Sequence, residues 1–282
     1  LPKVKKLEEV CGSCQKGKQA QLTHKGKEYS TTRILELVHT DLCGPMRTRS
    51  MSGEKYFMLI IDDMSRMTWV YFLREKSEAL RSFKAFRAFA ETQSERKSKR
   101  VRSDNGGEFT SKEFNEYCMK YGIQQQFSAA RTPQQNGVVE RKNCTVVEMA
   151  RTMLLEKNVS ERHWREAVHA DVHIQNRVLI RPHSLKTSYE LWFGRKPNIN
   201  YFRVFGSICY IKNKDLKIGK MESRADEGVF LGYSSSSKAY KCFNKRLQKI
   251  VESIDIVIQE EEHPEAEEDE VPESLLEEEV VE

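Results

Sequence analysis

The run Ile34-Leu35-Glu36-Leu37-Val38-His39-Thr40-Asp41-Leu42-Cys43 reads as a β-strand, yet it sets a carboxylate, Asp41, among apolar neighbours. Such a carboxylate must be desolvated unless a partner or a metal ion holds it. Two more apolar runs follow, Tyr56 to Asp62 and Met67 to Leu73, set off by Gly53 and by the turn Asp63-Met64-Ser65. Together the three predict an antiparallel meander. Lys76 to Glu91 then repeats Ala79, Leu80, Phe83, Phe86 and Ala90 at three- and four-residue spacing, the pattern of an amphipathic helix with its apolar face inward.

Lys99 to Arg102 predicts a short strand that runs into Ser103-Asp104-Asn105-Gly106-Gly107, where two glycines force a loop. A helix from Ser111 to Tyr121 carries Phe114, Tyr117 and Cys118 on one face, Gly122 stops it, and Ile123 to Phe127 is a further strand. Thr132-Pro133-Gln134-Gln135 has the form of a capping box, but Asn136-Gly137 interrupts it. Helix therefore begins near Gly137 and runs to Lys157, burying Val139, Val146, Met149, Ala150 and Met153. Another helix spans Glu161 to Leu179 with Trp164, Ala167, Val168, Val172 and Ile174 inward. The mixture predicts an α/β domain with helices packed on a mixed, largely antiparallel sheet. After a connector with a short helix near Tyr189 to Phe193, the runs Val204–Ile211, Glu227–Gly232, Ala239–Phe243 and Ile250–Ile258 suggest a small β-barrel or sheet.

Charge divides the 282 residues unevenly. The net +5 contains a segment from Gln259 to Glu282 with 13 acids and no Lys or Arg. Without it the chain has 47 basic against 29 acidic residues, or +18. A body that basic suits a polyanionic partner, because neutralising phosphates releases condensed counterions; a solvated surface is the bland alternative. The acidic segment, with two prolines, cannot bury enough apolar surface to order itself. No stretch approaches the roughly 18 to 20 apolar residues of a membrane span, which excludes a transmembrane helix. Seven scattered cysteines and the lack of a secretory signal point to a reducing compartment, and the start at Leu1 to a piece of a longer precursor.

Three acids have a context that suits chemistry. Asp41 lies in a strand, Asp104 where a strand meets a Gly-Gly loop, and Glu140 in the first turn of a long helix. Carboxylates are the hard oxygen ligands that Mg²⁺ prefers, and two ions roughly 3.5 to 4 Å apart can serve an in-line displacement at phosphorus. Taken singly, each acid reads as a surface or capping residue. Asp62, Asp63 and Glu108 compete, but Asp62-Asp63 fits turn capping or a partner for Arg66, and Glu108 a charge at a helix N-terminus.

Sixty-two residues lie between Asp41 and Asp104, and 35 between Asp104 and Glu140. This spacing resembles the D,D(35)E signature of retroviral and LTR-retrotransposon integrases. The strings His39-Thr40-Asp41-Leu42-Cys43-Gly44-Pro45, Ser103-Asp104-Asn105-Gly106-Gly107-Glu108-Phe109 and Thr132-Pro133-Gln134-Gln135-Asn136-Gly137-Val138-Val139-Glu140-Arg141 resemble the copia-type branch. The resemblance implies an RNase H-like core and metal-dependent strand transfer, in which the 3′-hydroxyl of reverse-transcribed DNA attacks target DNA. It implies Asp41, Asp104 and Glu140 as catalytic residues and as ligands of two Mg²⁺ or Mn²⁺ ions. It also implies DNA as partner, a homo-oligomer in action with no membrane role, and a nuclear site of action after synthesis in a cytoplasmic polyprotein. DNA contacts are expected from Arg131, Gln134, Gln135, Asn136, Arg141 and Lys142. Two alternatives stay open: a catalytically silent or domesticated DNA-binding fragment, and a nuclease of the same fold that uses water as nucleophile.

On this resemblance, residues 1–32 are the truncated remnant of a zinc-binding domain, 33–181 the catalytic core, 182–200 a connector, 201–258 an SH3-like β domain and 259–282 a disordered acidic tail. Cys11 and Cys14 have zinc-ligand spacing but form half of a tetrahedral site. The nearest imidazole, His24, is on the wrong side, which argues against zinc occupancy by this chain alone. Tyr189-Glu190-Leu191-Trp192 with Lys196-Pro197 resembles the family's connector, and Gly228-Val229-Phe230-Leu231-Gly232-Tyr233 its barrel. Lys212, Lys214, Lys217, Lys220 and Arg224 are equally well read as a DNA-binding loop cluster or as plain surface. His163, His169 and His173 read as helix surface or packing residues in preference to a metal site.

Overall fold

The computed structural model describes residues 31–128, 136–181, 184–213 and 221–260. The expectations for residues 1–30, the capping box at Thr132 and the acidic tail after Glu260 lie outside the described residues. The chain forms two compact units, Leu1–Gly44 with Tyr56–Asn143 and Pro45–Lys55 with Cys144–Glu282.

In the first unit, strands β1 (Val38–Cys43), β2 (Tyr56–Asp62), β3 (Thr68–Leu73), β4 (Arg100–Ser103) and β5 (Gln124–Phe127) form one sheet in the order β3-β2-β1-β4-β5. The meander pairs antiparallel, while β1 with β4 and β4 with β5 pair parallel, so the sheet is mixed. Strand β2 is buried on both faces, with Phe57, Met58, Leu59 and Ile60 fully inaccessible. That explains its unbroken apolar run in place of strict alternation. Helix α1 (Ala79–Ser94) seats Ala79, Phe83, Phe86 and Ala90 in the core; Phe86 meets Trp69 of β3 edge-on at 5.0 Å and Phe83 meets Phe114 at 5.2 Å. Each such phenylalanine contributes roughly 1.5–3 kcal/mol by burial. A four-residue helix α2 (Gly107–Thr110), absent from the sequence expectation, precedes α3 (Lys112–Tyr121). The Ser111 hydroxyl caps α3 by accepting from Phe114 N–H, and Gly122 closes it at φ +66°.

Strand β1 starts later than its apolar run suggests. Leu35 takes φ +59°, a left-handed conformation costly for a side chain with a Cβ, and its N–H donates to Asp62 Oδ1 at 2.7 Å. Asp62 also accepts from Ser65 N–H (2.8 Å) and Ser65 Oγ (2.6 Å), so this fully buried carboxylate holds both the strand entrance and the β2–β3 turn. Asp63 accepts from His39 Nε2 at 2.9 Å and pairs with Arg66 at 3.4 Å. Both acids thus have the structural roles the turn suggested. Burial holds His39 below its ordinary range, so the bond is that of a neutral imidazole to an ionised Asp63.

Helix α4 (Gly137–Glu156) opens in the first unit. Its buried apolar side chains are Val139, Val146, Ala150 and Leu154, whereas Met149, expected inside, is 46 % exposed. The stripe steps by four from Val146 to Leu154, and Met149 lies about 100° around the helix from Ala150. Met153 is half-buried, and Leu154 takes the inward place instead.

The second unit contains α5 (Trp164–Val178), α6 (Ser188–Phe193) and a five-stranded antiparallel sheet. Its strands are β6 (Ile208–Lys212), β7 (Ala225–Tyr233), β8 (Tyr240–Asn244), β9 (Lys249–Ser253) and β10 (Ile256–Gln259), in the order β10-β6-β7-β8-β9. The apolar run from Ile250 to Ile258, expected as one strand, breaks at Ile254-Asp255 into two. Cys209, Ile211, Phe230, Tyr233 and Cys242 make the core of this sheet. Helix α5 lies so close to β7 that a Cβ on Gly232, at φ +116° beside a bulge, would stand 3.1 Å from Ala170 Cβ. His173 stacks on Tyr233 at 4.5 Å and bonds the Tyr201 hydroxyl at 2.8 Å, and His169 contacts Ser235 at 3.3 Å. These histidines are packing residues, and burial holds both down to about 3. Among the described residues no helix is long and apolar enough to cross a membrane.

Candidate active site

Parallel pairing brings the first two acids together. Strands β1 and β4 pair as Val38 with Val101 and His39 with Arg102. Asp41 and Asp104 each lie two residues further on, so continuing the register places them opposite one another. Neighbouring strands are about 4.8 Å apart, and the carboxyl ends of parallel strands are where open α/β sheets form their sites. Past Ser103 the chain turns into the Asp104 loop, where Asp104 Oδ1 accepts from Gly106 N–H at 3.1 Å. Asn105 Nδ2 pins that loop to Ser128 O at 3.1 Å. A side chain at Gly106 would force its neighbours to move: a Cβ would lie 2.8 Å from Glu108 Cδ and 3.1 Å from Asp104 Oδ1. Glu108 itself lies in the first turn of α2 and pairs with Lys76 at 3.6 Å.

The third acid arrives on α4. The Asn136 carbonyl accepts from Val139 N–H (3.1 Å) and Glu140 N–H (3.2 Å), which starts the helix, and Asn136 Nδ2 donates to Thr40 O at 3.5 Å. Asn143 lies one turn beyond Glu140, on the same side of the helix. Its Nδ2 donates to Asp41 Oδ2 at 2.7 Å, which ties α4 to β1 next to the acid it serves. Sequence reasoning missed Asn143, although its i+3 spacing from Glu140 was a readable signal.

The charges of the three act on one another. Burial first, then the charges of Asp104 and Glu140, push Asp41 up to about 7, against the lowering effect of Leu42 N–H and Asn143. Burial and Asp104 also raise Glu140, against Arg141. Asp104 thus adds its charge to that of burial at both Asp41 and Glu140, and hard divalent ions are the cations such crowded carboxylate oxygens take. Among the described residues no three Asp, Glu, His or Cys side chains stand close enough to enclose a single ion; a two-ion site asks for pairs of carboxylates instead.

The other expected residues divide. Arg141 and Lys142 follow Glu140 on α4. Asn136, expected to reach DNA, is fully buried, with its amide turned to Thr40 O and not to solvent. Arg131, Gln134, Gln135, Cys11, Cys14, Lys214, Lys217 and Lys220 lie outside the described residues.

Comparison with known proteins identifies two domains in the chain. Residues 32–133 match the integrase core domain family, and residues 207–272 match the retroviral polymerase SH3-like domain. The chain is therefore an integrase core followed by a retroviral-polymerase SH3-like domain. Its relatives include retrovirus-related Pol polyproteins of plant transposons. It is 36% identical over 252 residues to the retrovirus-related Pol polyprotein from transposon TNT 1-94 of Nicotiana tabacum, covering 89% of this chain and 19% of that protein. It is 30% identical over 241 residues to the corresponding polyprotein from transposon RE1 of Arabidopsis thaliana, covering 85% and 16%. The chain thus spans under a fifth of the length of these relatives. Its fold resembles a chain in the simian T-cell lymphotropic virus intasome solved with PP2A regulatory subunit B56 gamma, with a TM-score of 0.53 at 15% identity, covering 90% of this chain and 88% of that one.

Proposed function

We propose that this chain catalyses DNA strand transfer as the integrase portion of a retrotransposon Pol polyprotein, with Asp41, Asp104 and Glu140 as its catalytic carboxylates. The observation that carries the reading is the convergence of these three acids at the ends of β1 and β4 and the start of α4, where Asp41 is raised to about 7 by burial and its two neighbours. We parse residues 33–181 as the core, 182–200 as a connector and 201–258 as the SH3-like domain.

In the reaction, a DNA 3′-hydroxyl oxygen bonds to a target phosphorus while the P–O3′ bond of the target breaks, and the hydroxyl proton passes to solvent. Asp41, Asp104 and Glu140 would hold two Mg²⁺ or Mn²⁺ ions, which when bound activate the attacking oxygen and stabilise the leaving one. Asn143 orients Asp41 by donating to Oδ2. Gly106 keeps the space beside Asp104 clear. Arg141 and Lys142 are placed to meet DNA phosphates beside Glu140. DNA is the partner on this reading, with the protein acting as a homo-oligomer in the nucleus.

The test is Asp104→Asn. It abolishes Mg²⁺- or Mn²⁺-dependent joining of a labelled DNA end to a plasmid while leaving salt-sensitive DNA binding near wild type. Undiminished joining overturns the assignment. Cleavage of DNA without joining by the unsubstituted chain indicates the nuclease, and binding without either reaction the silent fragment.

A further inference from the structure

The second unit holds a cavity of about 200 Å³ between α4, α5 and the segment Met46-Arg47-Thr48, far smaller than the roughly 300–1,000 Å³ of small-molecule sites. Its floor is apolar: Val147, Ala150, Leu154, Trp164 and Val168. Two of its polar groups are already engaged, since Thr48 Oγ1 donates to Glu161 Oε2 at 2.9 Å and Trp164 Nε1 to Thr48 O at 3.0 Å. Arg47 and Arg151 at its rim are exposed and form no ion pair or hydrogen bond among the described residues. An apolar slot for one or two side chains, flanked by two uncompensated guanidiniums, fits an acidic peptide with adjacent aliphatic residues. The chain contains that sequence: Glu273-Ser274-Leu275-Leu276-Glu277-Glu278-Glu279.

We propose that this pocket docks Leu275-Leu276 of the same chain, with Glu277 to Glu279 meeting Arg47 and Arg151. The tether suits it. Glu260, whose carboxylate accepts from Val204 N–H at 2.9 Å, belongs to the same unit as the pocket. Fourteen residues separate Glu260 from Leu275, a reach of up to roughly 50 Å. A short tether gives an effective concentration on the order of 1 mM, so a contact with a Kd of about 0.1 mM is occupied about 90% of the time. Without buried backbone or polar groups to satisfy, the two leucines act as anchors and the glutamates set direction.

The indole N–H of Trp164 reports occupancy in the ¹⁵N-labelled full chain, with Trp69 and Trp192 as internal controls. Leu275→Ser with Leu276→Ser should move the Trp164 resonance by more than its line width and leave the other two in place. Arg47→Glu with Arg151→Glu should give the same shift, and adding Glu277→Lys, Glu278→Lys and Glu279→Lys should restore the original position. An unmoved Trp164 resonance in the double-serine variant overturns the proposal; unmoved Trp69 and Trp192 resonances show that the fold is intact, so a folding defect does not obscure the result. A wild-type resonance that moves on dilution from about 500 to about 20 µM also overturns it, since docking then occurs between copies, whereas the ~1 mM effective concentration of a tethered segment does not change on dilution.

Discussion

Asp41, half-buried, and Asp62, fully buried, are aspartates on adjacent, directly paired strands, and their surroundings differ. Asp62 accepts three hydrogen bonds, from Leu35 N–H, Ser65 N–H and Ser65 Oγ, and so spends its charge on the fold. Asp41 receives the Asn143 amide and faces two further acids. Burial raises both; for Asp62 the donors Ser65 and Leu35 come next and oppose the shift, ahead of the like charge of Asp63, while for Asp41 the like charge of Asp104 comes next and adds to it, against Leu42 N–H and Asn143. A buried carboxylate with saturated oxygens is structural, and one crowded by other carboxylates is a cation site in waiting.

The sharpest way to break this contrast is Asp41→Asn. Joining should fall by about 1,000-fold or more, as for loss of a group acting in the transition state. In EDTA at pH 8 the same variant should be more stable, by up to about 4 kcal/mol at the rough rate of 1.4 kcal/mol per pH unit; denaturant titration that finds it less stable dissolves the contrast. Asp62→Ala should act the other way, losing about 3 kcal/mol by leaving buried donors unpaired while joining per folded molecule stays near wild type. Next comes pH. Because Asp41 is raised to about 7 when folded against 3.8 unfolded, the folded state binds the extra proton, so its contribution to stability declines as pH rises from about 4 through 7. Melting temperatures in EDTA should follow that decline, and Mg²⁺ should flatten it; a Mg²⁺-insensitive profile argues against ion binding at Asp41. Gly106→Ala is the mildest change: its Cβ meets Glu108 and Asp104 Oδ1, so joining should drop about tenfold with a stability loss near 1 kcal/mol.

Much of this was written in the sequence. Periodicity marked the meander, α1 and α3, and the glycine-rich loop marked where Asp104 leaves its strand. The strand register that sets Asp104 opposite Asp41 was not legible, because pairing of β1 with β4 depends on residues about sixty positions apart. Leu35 looked like strand because an apolar side chain does not announce a left-handed backbone; the compensating acceptor, Asp62, is 27 residues away. Asn136 failed as a DNA-contact expectation for a related reason. Its polar side chain suggested exposure, yet it serves the helix start from a fully buried position. Met149 was misplaced by a single residue of helical phase.

The clamp between Leu35 and Asp62 also bears on the order of folding. It closes a short loop and belongs to a hairpin-connected meander whose contacts are local, whereas β4 joins β1 only after a crossover through α1. Local contacts cost the least closure entropy, so the meander forms first and β4 docks late. Asp41 therefore reaches its strand position before Asp104 arrives, and the repulsion between them is felt on the native side of the folding barrier. Relieving it in Asp41→Asn should leave the folding rate nearly unchanged and slow unfolding, which makes the meeting of β1 and β4 at these two acids a kinetic weak point of the core.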